Sequence, residues 1–458
     1  MPTLKIVNPA TGEPIDTAAA DTPDSVAAKA RTARAAHPAW AAVPMAERLA
    51  IVQRFRAAIV RDLEALAATL TREVGKPITQ SRNELNGLLP RLDFFLEQAE
   101  GAVRDEHVYT GGGMHEEIGH VPLGVVANIS AWNYPWFVGC NVIVPALLTG
   151  NAVLYKPSEH AALTGLSITR LLHEAGVPKE VMVCLVGAGD VGAALLAQPI
   201  DGLFFTGSHA TGQRIAQALA GRLVKMQLEL GGKDPTYVRA DADVKAAAES
   251  LADGAMYNTG QGCCSVERIY VHETVHDAFV EHFLATVASF KQGDPTDPGT
   301  YIGAITRAPQ LDVLEAQVRD AVAKGAKLRT GGQRRAGAGQ FFVPTVLTGC
   351  DHRMDVMREE SFGPIVGIQE VKSDDEAVAL MNDTRYGLTA GVYSADEAAA
   401  RAVLSRVHAG TVYWNCCDRV SPRLPWSGVG DSGIGLTLGV AGIQTFTRPK
   451  AWHLRSPG

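Results

Sequence analysis

The sequence predicts an α/β protein built on two doubly wound parallel sheets. Two observations carry that expectation. Between residues 125 and 219, short apolar runs alternate with helix-length segments over tight links, the pattern of strands buried on both faces and joined by crossover helices. A second alternation of the same kind begins after Asp241. The chain has 458 residues, enough for two or three domains and a large core.

Taken in order, residues 22–74 are Ala-rich and amphipathic, with Pro38 and Pro44 expected to break them into helices and Gly75 expected to stop the last one. Residues 125–130 and 152–156 read as buried strands, with a helix over 135–148 between them. Strands at 181–186 and 202–206 continue the series, with helices at 161–175 and 211–219. In the second set, helices at 244–258 and 275–290 flank a strand at 268–272. No internal repeat, low-complexity segment or heptad array interrupts this order. Residues 121–155 carry no charge and are long enough to span a membrane. They also hold Pro122, Pro135, Pro145 and four asparagines, whose polar groups lipid would leave unsatisfied. Strand, polar loop, helix and strand is the better reading.

Composition excludes several classes. The apolar fraction is 46% and the charged fraction 20%, ordinary for a globular protein. A net charge of -7 with scattered basic residues gives nothing to track phosphates of a nucleic acid. The seven cysteines are odd in number and unevenly spaced, with no Cys-x-x-Cys pair. Neither a disulfide framework nor a zinc site is expected, and no metal. A reducing cytoplasm fits this usage, as does a start without the apolar core of a signal peptide.

Chemistry concentrates at two glycine-punctuated segments. Asn258-Thr-Gly-Gln-Gly-Cys263-Cys264-Ser265 offers a thiol, and Leu228-Glu229-Leu230-Gly231-Gly232 offers a carboxylate. A thiolate that attacks an electrophilic carbon, and a carboxylate that activates the water clearing the adduct, would form a nucleophile–base pair. A cysteine on its own is more often core packing. Gly187-Ala-Gly189-Asp-Val-Gly192 matches the dinucleotide fingerprint. It comes late in the strand series, however, and the next strand ends in Thr206-Gly207-Ser208 without an acidic residue, so the match is weak. Phe204-Phe-Thr206-Gly207-Ser208, before a helix, is the better phosphate loop, with a simple Ser208 helix cap as the equal alternative.

These residues resemble the NAD(P)-dependent aldehyde dehydrogenase superfamily, in its hydrolytic branch, nearly end to end. The likeness starts at Asn8-Pro-Ala-Thr-Gly-Glu and runs through Ser130-Ala-Trp132-Asn133-Tyr134-Pro135-Trp136, Lys156-Pro157-Ser158-Glu159 and Phe205-Thr206-Gly207-Ser208. It continues through the Glu229 and Cys263 segments to Glu359-Glu360-Ser361-Phe362-Gly363-Pro364, Asn415 and Pro425-Trp426-Ser427-Gly428. Each motif is moderately specific; all of them in this order are highly so.

The resemblance implies a Rossmann-like cofactor-binding domain from residues 1–103 and 120–231, and a catalytic domain from 232–435. Strands at 104–119 and 444–458 would serve oligomerisation, giving a homodimer or homotetramer. It implies Cys263 as nucleophile, Asn133 with the Cys263 backbone N–H as oxyanion hole, and Glu229 as the base of deacylation. Lys156 and Glu159 match contacts to the adenine ribose. A carboxylate facing the 2′ position repels a 2′-phosphate, which favours NAD over NADP. Ser208 matches a pyrophosphate contact, Glu360 the nicotinamide ribose and Phe362 the nicotinamide ring. Trp132, Ser158, Thr206, Gly207 and Gly231 complete the implied cofactor contacts. The implied substrate pocket comprises Tyr134, Val138, Asn141, Tyr257, Cys264, Val420 and Trp426. Its aromatics suggest an apolar aliphatic or aromatic aldehyde. Tyr257 stands about one and a half turns before the nucleophile if the helix extends that far. Arg419 and Arg423 offer an alternative, a semialdehyde with an acidic group. Two further alternatives are a CoA-acylating enzyme, which generally lacks the hydrolytic glutamate, and a catalytically silent binding protein on the same fold.

Overall fold

The computed structural model describes residues 2–457; Met1 and Gly458, the outermost residues of the expected segments, lie outside the described residues. The centre of the first sheet is Val125–Ser130, all six of whose residues are buried. Ala152–Pro157 and Met182–Cys184 pair in sequence on one side of it, and Gly202–Thr206 and Lys225–Glu229 on the other, all parallel. Gly433–Ile434 adds a short antiparallel edge beside Lys225–Glu229. The chain therefore reverses its winding between Val125–Ser130 and Gly202–Thr206. Ligands of such sheets bind in the crevice that this reversal opens at the carboxyl ends of the strands.

The second sheet has seven strands, in the order Lys327–Thr330, Thr345–Thr348, Ile365–Val371, Val266–His272, Asp234–Val238, Thr389–Tyr393, Thr411–Trp414; only the first is antiparallel. Asp234–Val238, Val266–His272 and Ile365–Val371 each begin just after one of the motifs singled out above. The carboxyl edge of the first sheet thus meets the amino edge of the second. A third sheet of Thr447–Arg455, Met114–Pro122 and Glu106–Gly111 is antiparallel throughout.

Most of the expected elements fall within a few residues of the observed ones, and the differences have causes. Pro38 does not break its helix: Pro23–Ala41 runs through it and ends within a turn, so that the one bond lost with the Pro38 N–H is outweighed by the packing of buried Val26, Ala30, Ala33 and Trp40. Pro44 precedes Met45–Val74, and Gly75 ends that helix in the left-handed conformation, at φ 83°. The helix expected at 244–258 stops at Met256. Among the elements not anticipated are a hairpin of Thr3–Val7 with Pro14–Ala19, the helix Ile78–Ala102 and most strands and helices after residue 300. The helix Ile78–Ala102 buries Gln80, Ser81, Glu84 and Arg91 along with its apolar residues, which blurs the hydrophobic period that marks a helix. Among the described residues no helix is long and apolar enough to cross a membrane.

Candidate active site

Cys263 lies on the turn between the helix Val244–Met256 and the strand Val266–His272. The helix does not reach it, so Tyr257 is not on a continuing helical face. Instead Asn258, Thr259 and Gly260 take φ of 52°, 58° and 68° in succession. Left-handed backbone at a non-glycine residue is costly and persists only where its surroundings impose it. Here they do. Asn258 N–H donates to Gln80 Oε1 at 2.9 Å, and Asn258 Nδ2 to Asn133 O and Gln261 O at 3.2 and 3.1 Å. Gln261 Oε1 accepts from Thr306 N–H at 2.9 Å. A side chain on Gly260 would strike the Gly363 carbonyl, so glycine alone fits there.

The two cysteines are held differently. Cys263 is half-buried, while Cys264 is buried and its Sγ donates to Asp418 Oδ1 at 3.0 Å. Hydrogen bonding with Cys263, burial and the nearby Asp418 charge all push the Cys264 thiol well above its ordinary value. Cys264 therefore stays protonated. Burial likewise lifts the Asp418 carboxyl to about 7.

A cleft of about 260 Å³ brings together residues from both sheets: Trp132, Asn133, Thr206, Gly207, Ser208, Glu229, Gly231, Cys263, Glu360 and Phe362 all line it. Asn133 is buried and gives Nδ2 to Gln261 O at 3.0 Å, leaving its second amide hydrogen for another acceptor. Glu229 ends the strand Lys225–Glu229 and is buried, with no hydrogen-bond partner for either carboxyl oxygen among the described residues. Burial raises it well above the usual carboxylate range. Glu360 Oε1 accepts from Gly232 N–H at 3.1 Å. Burial first, and then the like charge of Glu267, push Glu360 up to about 8. Gly231 is a glycine for a local reason, since a Cβ there would run into the Glu360 carboxylate.

Two residues that the sequence reading missed hold this cleft together. Glu267 accepts from Ser361 N–H at 2.8 Å, Phe362 N–H at 2.9 Å and Lys233 Nζ at 2.6 Å. Lys233 Nζ also donates to Ser361 Oγ at 2.9 Å. The buried pair fixes Phe362, whose φ is 49°, with its ring edge-on to Trp132 at 5.6 Å. The signal in the sequence was a lysine directly after Gly231-Gly232 and a glutamate inside a buried strand.

On the cofactor side, Thr206 ends its strand and Ser208 caps the helix His209–Leu219, accepting from Thr211 N–H at 3.4 Å. Ser158 caps a single turn at Glu159–Ala161. Lys156 Nζ lies 3.4 Å from Glu159 Oε2. Burial lowers Lys156; burial also works to raise Glu159, but Lys156 beside it holds that carboxyl below its ordinary range. Glu159 lines a second cavity, of about 400 Å³, which shares Arg307 with the first. The fingerprint at residues 187–192 lines neither. It follows the edge strand Met182–Cys184, away from the reversal point.

None of the expected pocket residues lines the 260 Å³ cleft. Tyr134, Val138 and Asn141 follow Asn133 along the start of the helix Pro135–Leu148. Tyr134 stacks on Phe137, with ring centroids 5.8 Å apart. Tyr257 accepts from Asn83 Nδ2 at 3.1 Å. Cys264, Trp426, Val420 and Cys263 pack in one apolar cluster with Phe137 and Trp132. Arg419 and Arg423 are exposed. Two other cations were missed. Lys76 is fully buried, paired with buried Glu84, and sits 3.9 Å above the Tyr134 ring. Arg91, 5% exposed, sits 3.9 Å above the Phe137 ring and donates to Asn141 Oδ1 at 3.1 Å.

A buried thiol-bearing turn, an amide beside it and two carboxyls in one cleft at a Rossmann-type reversal point define a class of oxidoreductase. The chain belongs to the aldehyde dehydrogenase family, whose model matches residues 2–452, and is thus an NAD(P)-dependent enzyme that oxidises an aldehyde. It is 36% identical to the 3,6-anhydro-alpha-L-galactose dehydrogenase of Streptomyces coelicolor, over 99% of this chain and 93% of that protein. It is 34% identical to the NADP(+) succinate-semialdehyde dehydrogenase of Deinococcus radiodurans, over 97% and 93%. The crystal structure of an NAD-dependent aldehyde dehydrogenase from Sinorhizobium meliloti superposes with a TM-score of 0.97 at 34% identity, covering 100% of this chain and 92% of that one.

Proposed function

We propose that the chain oxidises an aldehyde to the carboxylic acid with NAD, through a covalent adduct on Cys263. The observation that supports this most is the single cleft shared by Cys263, Asn133, Glu229, Glu360 and Phe362. Cys263 Sγ attacks the carbonyl carbon, and the C–S bond forms as the carbonyl oxygen becomes an oxyanion. The uncommitted amide hydrogen of Asn133 and the Cys263 backbone N–H stabilise that charge; a donor of this kind is worth about 3–4 kcal/mol. Nicotinamide, when bound, supplies the hydride acceptor that converts this hemithioacetal to a thioester. Glu229, once ionised, takes a proton from water; the water oxygen attacks the acyl carbon, the C–S bond breaks and the thiol is restored.

The cofactor residues in this reading are Trp132, Lys156, Ser158, Glu159, Thr206, Gly207, Ser208, Gly231, Glu360 and Phe362. The fit rests on side-chain-free Gly231 against Glu360 and on a strand end followed by a capped helix start at Ser208. Glu159 supports NAD over NADP, because a carboxylate at the ribose repels a 2′-phosphate. Residues 104–119 and 444–458 serve assembly into a homodimer or homotetramer, and the free cysteines suit a reducing cytoplasm. NADH formation, followed by absorbance over a panel of aldehydes with and without CoA, tests the reading. Turnover that needs CoA would replace it with the acylating reaction, and no turnover with any aldehyde would leave a binding protein. Equal use of NAD and NADP, or an NADP preference unchanged by Glu159→Gln, would overturn the cofactor assignment.

A further inference from the structure

We infer that the substrate aldehyde carries a carboxylate at the far end of its chain, and that Arg91, braced by Asn141, receives it. This rests on the dehydrogenase reading above and names its substrate class. The helix Ile78–Ala102 presents Gln80, Glu84, Gly87 and Arg91 at spacings of four, three and four, a single stripe. Gln80 holds the nucleophile turn through Asn258 N–H, and Glu84 Oε1 accepts from Trp136 N–H at 2.9 Å. A Cβ at Gly87 would lie 2.9 Å from the Phe137 ring, so glycine allows the two helices to close around that ring. The stripe therefore runs from the nucleophile turn along the helix that follows Asn133, and it ends at Arg91. From Pro135 to Asn141 that helix rises about 9 Å, the reach of a short aldehyde acid.

Arg91 is incompletely matched. Among the described residues its one hydrogen bond goes to Asn141, and no carboxylate comes within ion-pair distance. Glu84, the nearest candidate, is engaged by Lys76 and by Trp136 N–H. Arg268, another buried arginine, shows the contrast: it donates to three backbone carbonyls and the Tyr270 hydroxyl. A buried cation without a counter-ion is expensive, and a planar carboxylate is the partner a guanidinium fork fits best. Burial draws Arg91 down to about 10, so it is a cation at neutral pH, and Cys264 and Cys263 lie near enough to bear on its charge.

The test compares kcat/KM of the wild-type enzyme for succinic, glutaric and adipic semialdehydes with that for butanal, pentanal and hexanal. The carboxylated member of at least one pair should be preferred by about a hundredfold or more, on the scale of a charged hydrogen bond in a buried site. Arg91→Met should lose about that factor on the semialdehydes, mainly through KM, and change the alkanals by less than about threefold. Arg91→Lys should recover part of the loss. As a measurement that needs no variant, glutarate should protect Cys263 from iodoacetamide and the uncharged pentanamide should not. No preference in the wild type, an equal loss on both series, equal protection by both compounds, or preference for a phosphate-bearing aldehyde would overturn the inference. Glutarate protection without NADH from any aldehyde would support the carboxylate site and sink the dehydrogenase reading instead.

Discussion

At the level of single residues, the two cysteines differ in their surroundings, which leads us to expect a reactive thiol at Cys263 and a locked one at Cys264. Cys264 donates to Asp418 and is driven to its protonated form, whereas Cys263 lines the cleft. Cys263→Ala should abolish NADH formation and Cys264→Ala should leave most of it; the reverse pattern would reassign the nucleophile. Glu229 gives a second prediction, whose sign follows from burial. A carboxyl raised well above its unfolded value is protonated in the folded enzyme over a range where the unfolded chain is ionised. Stability is complete below the unfolded pKa, near 4.5, and falls by about 1.4 kcal/mol per pH unit above it, up to the folded value. Glu229→Gln should therefore raise Tm at pH 8 relative to wild type, and change it little at pH 4. Because the base must ionise to act, wild-type kcat should climb with pH above the ordinary carboxylate range. Glu229→Gln should flatten that limb and slow turnover by about two to four orders of magnitude while keeping the NADH burst. A variant that loses the burst as well would assign the carboxylate a part in thiol activation.

At the level of elements, what the sequence showed and what it concealed have different physics. Cys263 and Glu229 stood out because glycines mark the segments that carry them, and the strands were legible as continuous apolar runs such as Val125–Ser130; Asn133 and Glu360 stood out only through the resemblance of their motifs to the family. Lys233, Glu267 and Arg91 did not stand out. Each is a buried charged residue whose meaning lies in a partner distant in sequence: Lys233 with Glu267, and Arg91 with Asn141. The left-handed run at Asn258 and Thr259 was equally hidden, since neither residue demands that conformation by itself. The Lys233–Glu267 pair joins the starts of two neighbouring strands and anchors the Glu360–Phe362 loop. Removing one partner leaves a buried charge unpaired, at a cost of about 3–5 kcal/mol. Glu267→Gln should lower Tm and raise the KM for NAD together. Replacing both partners by methionine should restore part of the Tm but not the KM, because Phe362 N–H stays unheld. Full restoration of both would make the pair a folding device with no bearing on the cleft.

At the level of the whole molecule, we expect the third sheet to govern how copies assemble. The tail was expected to find its partner strand in another subunit. Its first partner is its own chain: Thr447–Arg455 pairs residue by residue with Met114–Pro122. One side of the tail strand is thereby satisfied, and the other remains an open edge of the sheet. On that strand Trp452 and Leu454 are exposed by 39 and 47%, and an open edge with exposed apolar side chains is a template for another strand. A closed symmetric pairing of two such surfaces would remove it. Light scattering at micromolar concentration should give at least twice the 48.6 kDa chain mass. The informative truncation starts after Arg448 rather than before Gln444, because Phe446 is buried and stacks on Phe204 at 4.3 Å. Removing residues 449–458 strips the edge strand while sparing that core contact. The shortened chain should keep its circular dichroism and run as a monomer, whereas a cut at residue 444 should cost the fold itself. A wild-type monomer, or a truncated chain that still assembles, would mean that another surface does the pairing.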